Sequence, residues 1–333
     1  MRKKIVLPLI LIVFLSCKNE KAPVATLEDD VQFLASDSLG GRETGTAQEL
    51  MAADYIMQRM KGLQLNPAGD SGSYYQTFSF KPKKDPHQEV VYVSGDSSVT
   101  GTNVIGYLDN KAENTVIIGA HYDHLGMGGE GSLYREGPAI HNGADDNASG
   151  VAVMLQIADS LAKRDDNHNY LFMAFSGEEI GLLGSNYFAK NPTVDLDKVN
   201  YMINMDMVGR LREDWTLSVS GTGTSPIWGQ VLNSTNPGFK LVLKESGVGP
   251  SDHTSFYLQD LPVLHFFTGQ HEDYHKPTDD ADKLNYEGME MIINYITAVI
   301  ADLDDDAKLT VKTVSYTHLT LPTTLCMGSG GGG

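Results

Sequence analysis

The chain has 333 residues with 43 Asp or Glu against 25 Lys or Arg, a formal net charge of −18. That acidity argues against nucleic acid as a partner, because phosphates are bound by basic surfaces. Its two cysteines, Cys17 and Cys326, leave no disulfide framework.

In chain order, residues 1–17 (MRKKIVLPLILIVFLSC) open with Arg2, Lys3 and Lys4 and continue in an apolar run too short for a comfortable membrane span. With Ser16 before Cys17, the segment resembles a bacterial lipoprotein signal in which Cys17 becomes the lipidated first residue; an uncleaved anchor is the alternative. Either way the body is expected to be exported. Residues 18–25 read as a polar linker. Residues 315–333 lack periodicity and end in a glycine run, so they are expected to be a non-native tail.

Between them, residues 26–314 are read as one folded unit. Helices are expected at 27–34, 44–62, 151–162, 180–188 and 289–300, where apolar residues recur at helical spacing. Strands are expected at 74–80, 88–93, 102–108, 115–120, 170–175, 199–205, 215–219, 239–243 and 262–267. Several are continuously apolar, as strands buried on both faces are. Such alternation implies an α/β sandwich around a mainly parallel sheet. Residues 211–260, richer in Gly, Ser and Thr, are read as strands and loops walling the site.

Five residues with metal-binding chemistry occupy the strings GAHYDHLG, NGADDNASG, FSGEEIG, INMDMVG and EDYHKPTDD: His121, Asp145, Glu179, Asp206 and His275. Ligands in open α/β sheets bind beyond the carboxyl ends of strands. Four of the five follow a predicted strand, and Asp145 precedes a predicted helix. Two imidazoles and three carboxylates suit two divalent ions sharing one carboxylate, for which Asp145 is the candidate. Adjacent Glu178 and Glu179 must diverge, so Glu179 is read as a ligand and Glu178 as the general base. Asp123 is placed to orient His121 through its second ring nitrogen. Asp146 reads equally as a local cap or a metal residue. His124, His141, His265 and His271 receive no role, and Asp252 and His253 are candidates to face the substrate.

Together these strings resemble the M28 family of zinc peptidases, the co-catalytic two-zinc aminopeptidases, over nearly the whole of residues 26–314. The resemblance implies a three-layer α/β/α sandwich with a mixed, mainly parallel central sheet of about eight strands. It implies two zinc ions, or other divalent ions: one on His121 and Asp206, the other on Glu179 and His275, with Asp145 between them. It also implies Glu178 as base and Asp123 as orienter, and hydrolysis of N-terminal peptide bonds. A carboxypeptidase or a glutaminyl cyclase would use the same centre, and a carboxypeptidase would call on Arg210 or Arg212 for the substrate carboxylate. A metal-free binding module would have lost ligands, and none is lost.

Overall fold

A computed structural model describes residues 25–82, 91–93, 95, 98–305 and 307–314. The expected signal, the anchor at Cys17, nearly all of the linker and the tail lie outside these residues.

Helix α1 (Leu27–Leu34) begins at a reciprocal cap between Thr26 and Asp29, and α2 (Ala47–Gly62) begins where the Thr46 side chain accepts from Glu49 N–H. That cap sets the start of α2 three residues later than periodicity alone suggests. Strands β1 (Asn66–Pro67) and β2 (Tyr75–Phe80) both run antiparallel to β3 (Val99–Leu108). The run expected at 88–93 is partly outside the described residues, and its Tyr92 forms an isolated bridge with Phe80. Next come β4 (Asn114–His121), α3 (Gly150–Leu161), β5 (His168–Phe175), α4 (Leu183–Lys190) and β6 (Val199–Met205). Helix α4 starts later than the expected Ile180, after Gly181 and Leu182, whose positive φ of 115° and 58° takes the chain out of helical conformation. The Gly-, Ser- and Thr-rich stretch supplies β7 (Thr216–Ser220), α5 (Trp228–Ser234), β8 (Lys240–Lys244) and α6 (His253–Tyr257). Strand β9 (Val263–Phe267) and α7 (Tyr286–Asp302) follow.

Among the described residues the sheet has nine strands in the order β1-β3-β5-β4-β6-β9-β7-β8, with β2 also on β3. It is mixed. Its centre, β5-β4-β6-β9, is parallel, while β3 and β7 join antiparallel on either side and β8 is parallel to β7. Every residue of β5 and β6 is buried, as a centre covered on both faces requires.

Alternation along β4 sends Val116, Ile118 and Ala120 into a core shared with α1, α2, α3, α5 and α7. Ile117 points the other way, into a core with Phe188 of α4 and Phe256 of α6. Helices thus cover both faces, giving the α/β/α layering, and the four central strands deliver their carboxyl ends to one edge.

Beneath that edge, Glu49 of α2 ties several elements together. Its buried carboxylate accepts hydrogen bonds from Gly45 N (2.6 Å), Thr102 N (3.3 Å), the Tyr122 hydroxyl (3.1 Å) and the Ser176 hydroxyl. Burial outweighs these donors and pushes its pKa up from 4.5 to about 7. A carboxyl raised on folding keeps its proton where the unfolded chain has lost it. Its stabilising share is therefore full below about pH 4.5 and is lost as pH rises through about 7. A tenfold change in proton affinity is worth ~1.4 kcal/mol, which makes that share about 3 kcal/mol. Glu49→Gln is expected to flatten this part of the stability profile, measured as urea midpoints across the same pH window.

Candidate metal centre

His121 is the last residue of β4, and Glu178 and Glu179 follow β5 across Ser176 and Gly177. Asp206 follows β6 directly, and His275 lies in the loop after β9. All five come together at the sheet edge. His121 Nε2 is 3.4 Å from Asp206 Oδ1 and 4.0 Å from Glu178 Oε2. His275 Nε2 is 3.3 Å from Glu179 Oε2. The neighbouring glutamates diverge as their adjacency demands, Glu178 toward His121 and Glu179 toward His275.

The carboxylate between the two histidines is Asp146, not the expected Asp145. Asp146 Oδ1 lies 3.3 Å from His121 Nε2, and Asp146 Oδ2 lies 3.2 Å from His275 Nε2. Asp145 is turned away and fully buried. It accepts from Gly209 N (2.6 Å) and the Ser149 hydroxyl (3.0 Å), and faces His271 Nε2 at 3.1 Å. The turn before α3 decides this. Gly143 enters it at φ 55°, and Asp146 (φ −106°, ψ 89°) and Asn147 (φ −136°, ψ 43°) leave helical geometry. Asp279 fixes the turn from below, its Oδ2 accepting from Asp145 N and Asp146 N at 3.0 Å each.

Asp123 lies beside His121, but not as expected of its carboxylate. His121 Nδ1 faces the Asp123 main-chain oxygen at 3.2 Å, with the carboxylate farther off at 3.7 Å. The carboxylate instead accepts from Glu178 N (3.1 Å) and the Thr44 hydroxyl (3.0 Å), so it fixes the backbone that carries the glutamate pair.

Two residues outside the expected set join the centre. His124 Nδ1 is 2.6 Å from Glu179 Oε1. Tyr274 stacks on His275 with ring centroids 3.8 Å apart. The string HYDH displays a second histidine at the end of β4, but its alignment with Glu179 depends on a loop that spacing does not describe. Of the other histidines left without a role, His271 pairs with Asp145, while His141 hydrogen-bonds Ser132 and the Ala139 carbonyl. His265 stacks on His253 at 4.5 Å, and both rings are buried. Asp252 is also buried, and burial pushes its pKa up to about 7.

Arg42, from the LGGRETGT segment, is 1% exposed and lies under the centre. Its guanidinium donates to the main-chain oxygens of Tyr122 (2.7 Å), Asn142 (2.6 Å), Gly143 (3.0 Å) and Leu34. It therefore braces the residue after His121 and the two residues that open the Asp145–Asp146 turn. Arg210 pairs with Asp273 through Nη2 (3.1 Å), while its buried Nη1 has no hydrogen-bond partner among the described residues, and the exposed Arg212 reaches the Gln270 carbonyl (3.4 Å).

Electrostatics fit cations. Burial disfavours a charged His121, yet Glu178 and Asp206 outweigh it and hold its pKa well above 6.5. Against the same cost, Asp146 and Glu179 raise His275 to about 11. For Glu178, burial prevails, reinforced by Asp206, Glu179 and Asp252, and its pKa is raised well above 4.5. Four carboxylates thus surround the imidazoles, and among the described residues no lysine or arginine pairs with them. Buried carboxylates need a positive partner, which the imidazoles supply here and bound cations would supply in their place. Donor atoms of His121, Glu178 and Asp206 lie within 4.8 Å of one another, as do those of His124, Asp146 and Glu179. Imidazole and carboxylate donors in two such groups suit zinc, and also manganese or cobalt.

The model of Peptidase family M28 matches residues 103–300. The alkaline phosphatase isozyme conversion protein of Escherichia coli (strain K12) is 32% identical over 174 residues, covering 50% of this chain and 46% of that protein. Aminopeptidase YwaD of Bacillus subtilis (strain 168) is 27% identical over 216 residues, covering 60% and 44%. The chain therefore spans less than half the length of these two relatives. The solved structure of BSAP, a zinc aminopeptidase from Bacillus subtilis, superposes with a TM-score of 0.66 at 17% identity, covering 85% of this chain and 97% of that one. At that identity the likeness is one of fold.

Proposed function

The chain belongs to peptidase family M28, and we propose that it is a two-zinc aminopeptidase that removes the N-terminal residue of peptides. The observation that carries this reading is Asp146, whose two oxygens address His121 and His275 separately. In this reading His121 and Asp206 would hold one ion, Glu179 and His275 the other, and Asp146 would serve both.

When bound, the two ions polarise the scissile carbonyl and lower the pKa of the attacking water toward about 7. Glu178 accepts the proton released as that water attacks and returns it to the leaving amine. Asp123 keeps Glu178 in reach through the hydrogen bond to its main-chain N–H. The likeness to aminopeptidase YwaD supports trimming from the amino end. Of the two arginines that a carboxypeptidase would call on, Arg210 is ion-paired with Asp273.

The test measures zinc content together with turnover of amino-acid p-nitroanilides, N-blocked peptides and peptides with N-terminal glutamine. Two zincs and cleavage of the unblocked substrates alone are expected. Cleavage of blocked peptides alone would reject the reading, and cyclisation of glutaminyl peptides without cleavage would assign a glutaminyl cyclase.

On residues 1–17 alone, we also propose export and lipid anchoring at Cys17 to a bacterial membrane. Mass spectrometry of the membrane-extracted protein is expected to show Cys17 as the first residue and acylated, and an unmodified Cys17 rejects the anchor.

A further inference from the structure

We propose that His124 is a positioning residue for the second ion, locking Glu179 so that only one of its oxygens is free to bind. This inference rests on the two-ion reading above and concerns a residue that reading leaves unused.

The two oxygens of Glu179 have different neighbours. Oε2 faces His275 Nε2 at 3.3 Å, on the side where His275 also meets Asp146 Oδ2 at 3.2 Å. Oε1 is turned from that triad to His124 Nδ1, at 2.6 Å, the length of a strong charge-assisted hydrogen bond. The other ring nitrogen of His124, Nε2, is buried and accepts no hydrogen bond from the described residues. The proton therefore belongs on Nδ1, where the carboxylate takes it. His275 is fixed in the complementary tautomer: its Nδ1 donates to the Gly131 carbonyl at 2.9 Å, leaving the Nε2 lone pair for an ion.

One nitrogen and two carboxylate oxygens would then hold the second ion and leave a fourth position open for substrate, as a catalytic site needs. A Glu179 freed from His124 could swing both oxygens toward the ion and fill that position. Partners of this kind, once removed, typically cost about 10–100-fold in metal affinity or activity.

The experiment compares His124→Leu, which removes the donor, with His124→Asn, whose amide places a donor near the position of Nδ1. Zinc affinities are read by competition with a chromogenic chelator, and coordination by visible absorption after cobalt substitution. In the Leu variant the second zinc is expected to bind about 10–100-fold more weakly, with an altered cobalt spectrum. The first zinc, on His121 and Asp206, should bind as before and so reports that the fold is intact. The Asn variant is expected to recover most of the lost affinity. A Leu variant that binds two zincs as tightly as the unsubstituted chain, with the same spectrum, overturns the role of His124 and leaves the peptidase reading standing. An Asn variant as weak as Leu also overturns it. An unsubstituted chain that binds a single zinc defeats the two-ion reading, and this inference with it.

Discussion

Glu178→Gln is expected to keep both zincs and lose about 10²–10⁴-fold in kcat, the usual contribution of a positioned acid–base group. Glu178 Oε2 stands 4.0 Å from His121 Nε2, whereas the carboxylate oxygens of Asp146 and Asp206 stand at 3.3 and 3.4 Å. Glu178 is thus the farthest of the three from the nitrogen that would hold the first ion. Burial, together with Asp206, Glu179 and Asp252, raises its proton affinity, as a base that must hold a proton between two steps requires. Glutamine keeps the side-chain volume and the N–H bonded to Asp123, but it cannot take a proton. Zinc analysis and single-turnover kinetics on the same preparation test this. An unchanged rate removes Glu178 from the mechanism, and loss of zinc moves it into the coordination shell.

The second large effect separates two adjacent aspartates. Asp146→Asn is expected to weaken zinc binding by more than about 100-fold, beyond the range typical of a supporting residue. An amide has one oxygen, and its nitrogen would face His275 or His121 as a donor. Asp145→Asn is expected to retain two zincs and to lower stability instead, because Gly209 N–H, the Ser149 hydroxyl and His271 all depend on that carboxylate. Zinc titration of the two variants side by side decides the matter, and the opposite ranking would return the shared position to Asp145.

That contrast marks where the sequence stops being informative. Strand ends were legible because buried parallel strands are written as apolar runs, and His121, Glu178, Glu179 and Asp206 sit at or close behind such ends. The opposite aims of Glu178 and Glu179 were legible too, since neighbouring side chains cannot share a direction. Asp145 and Asp146 were not separable in this way. Their directions are set by non-helical dihedrals at Asp146 and Asn147 and by Asp279, which is 133 residues away from Asp146 in the chain. Periodicity carries no record of either. His124 was hidden for a similar reason: its partner Glu179 lies 55 residues away and is reached through loop geometry. Strand β1 escaped notice because it is two residues long.

Arg42 carries a practical consequence for anyone who cuts this chain. The stretch that matches the family model begins at residue 103, well past this arginine. A fragment trimmed to that stretch would lose the guanidinium, taking this donor from the buried carbonyls of Tyr122 and Asn142 and leaving that of Gly143 with Ala148 N–H alone. It would also lose Glu49 from under Tyr122 and Ser176. The segment that carries α1 and α2 is thus a keystone of the metal-binding edge rather than an appendage, and the smallest fragment able to work has to reach back past α1.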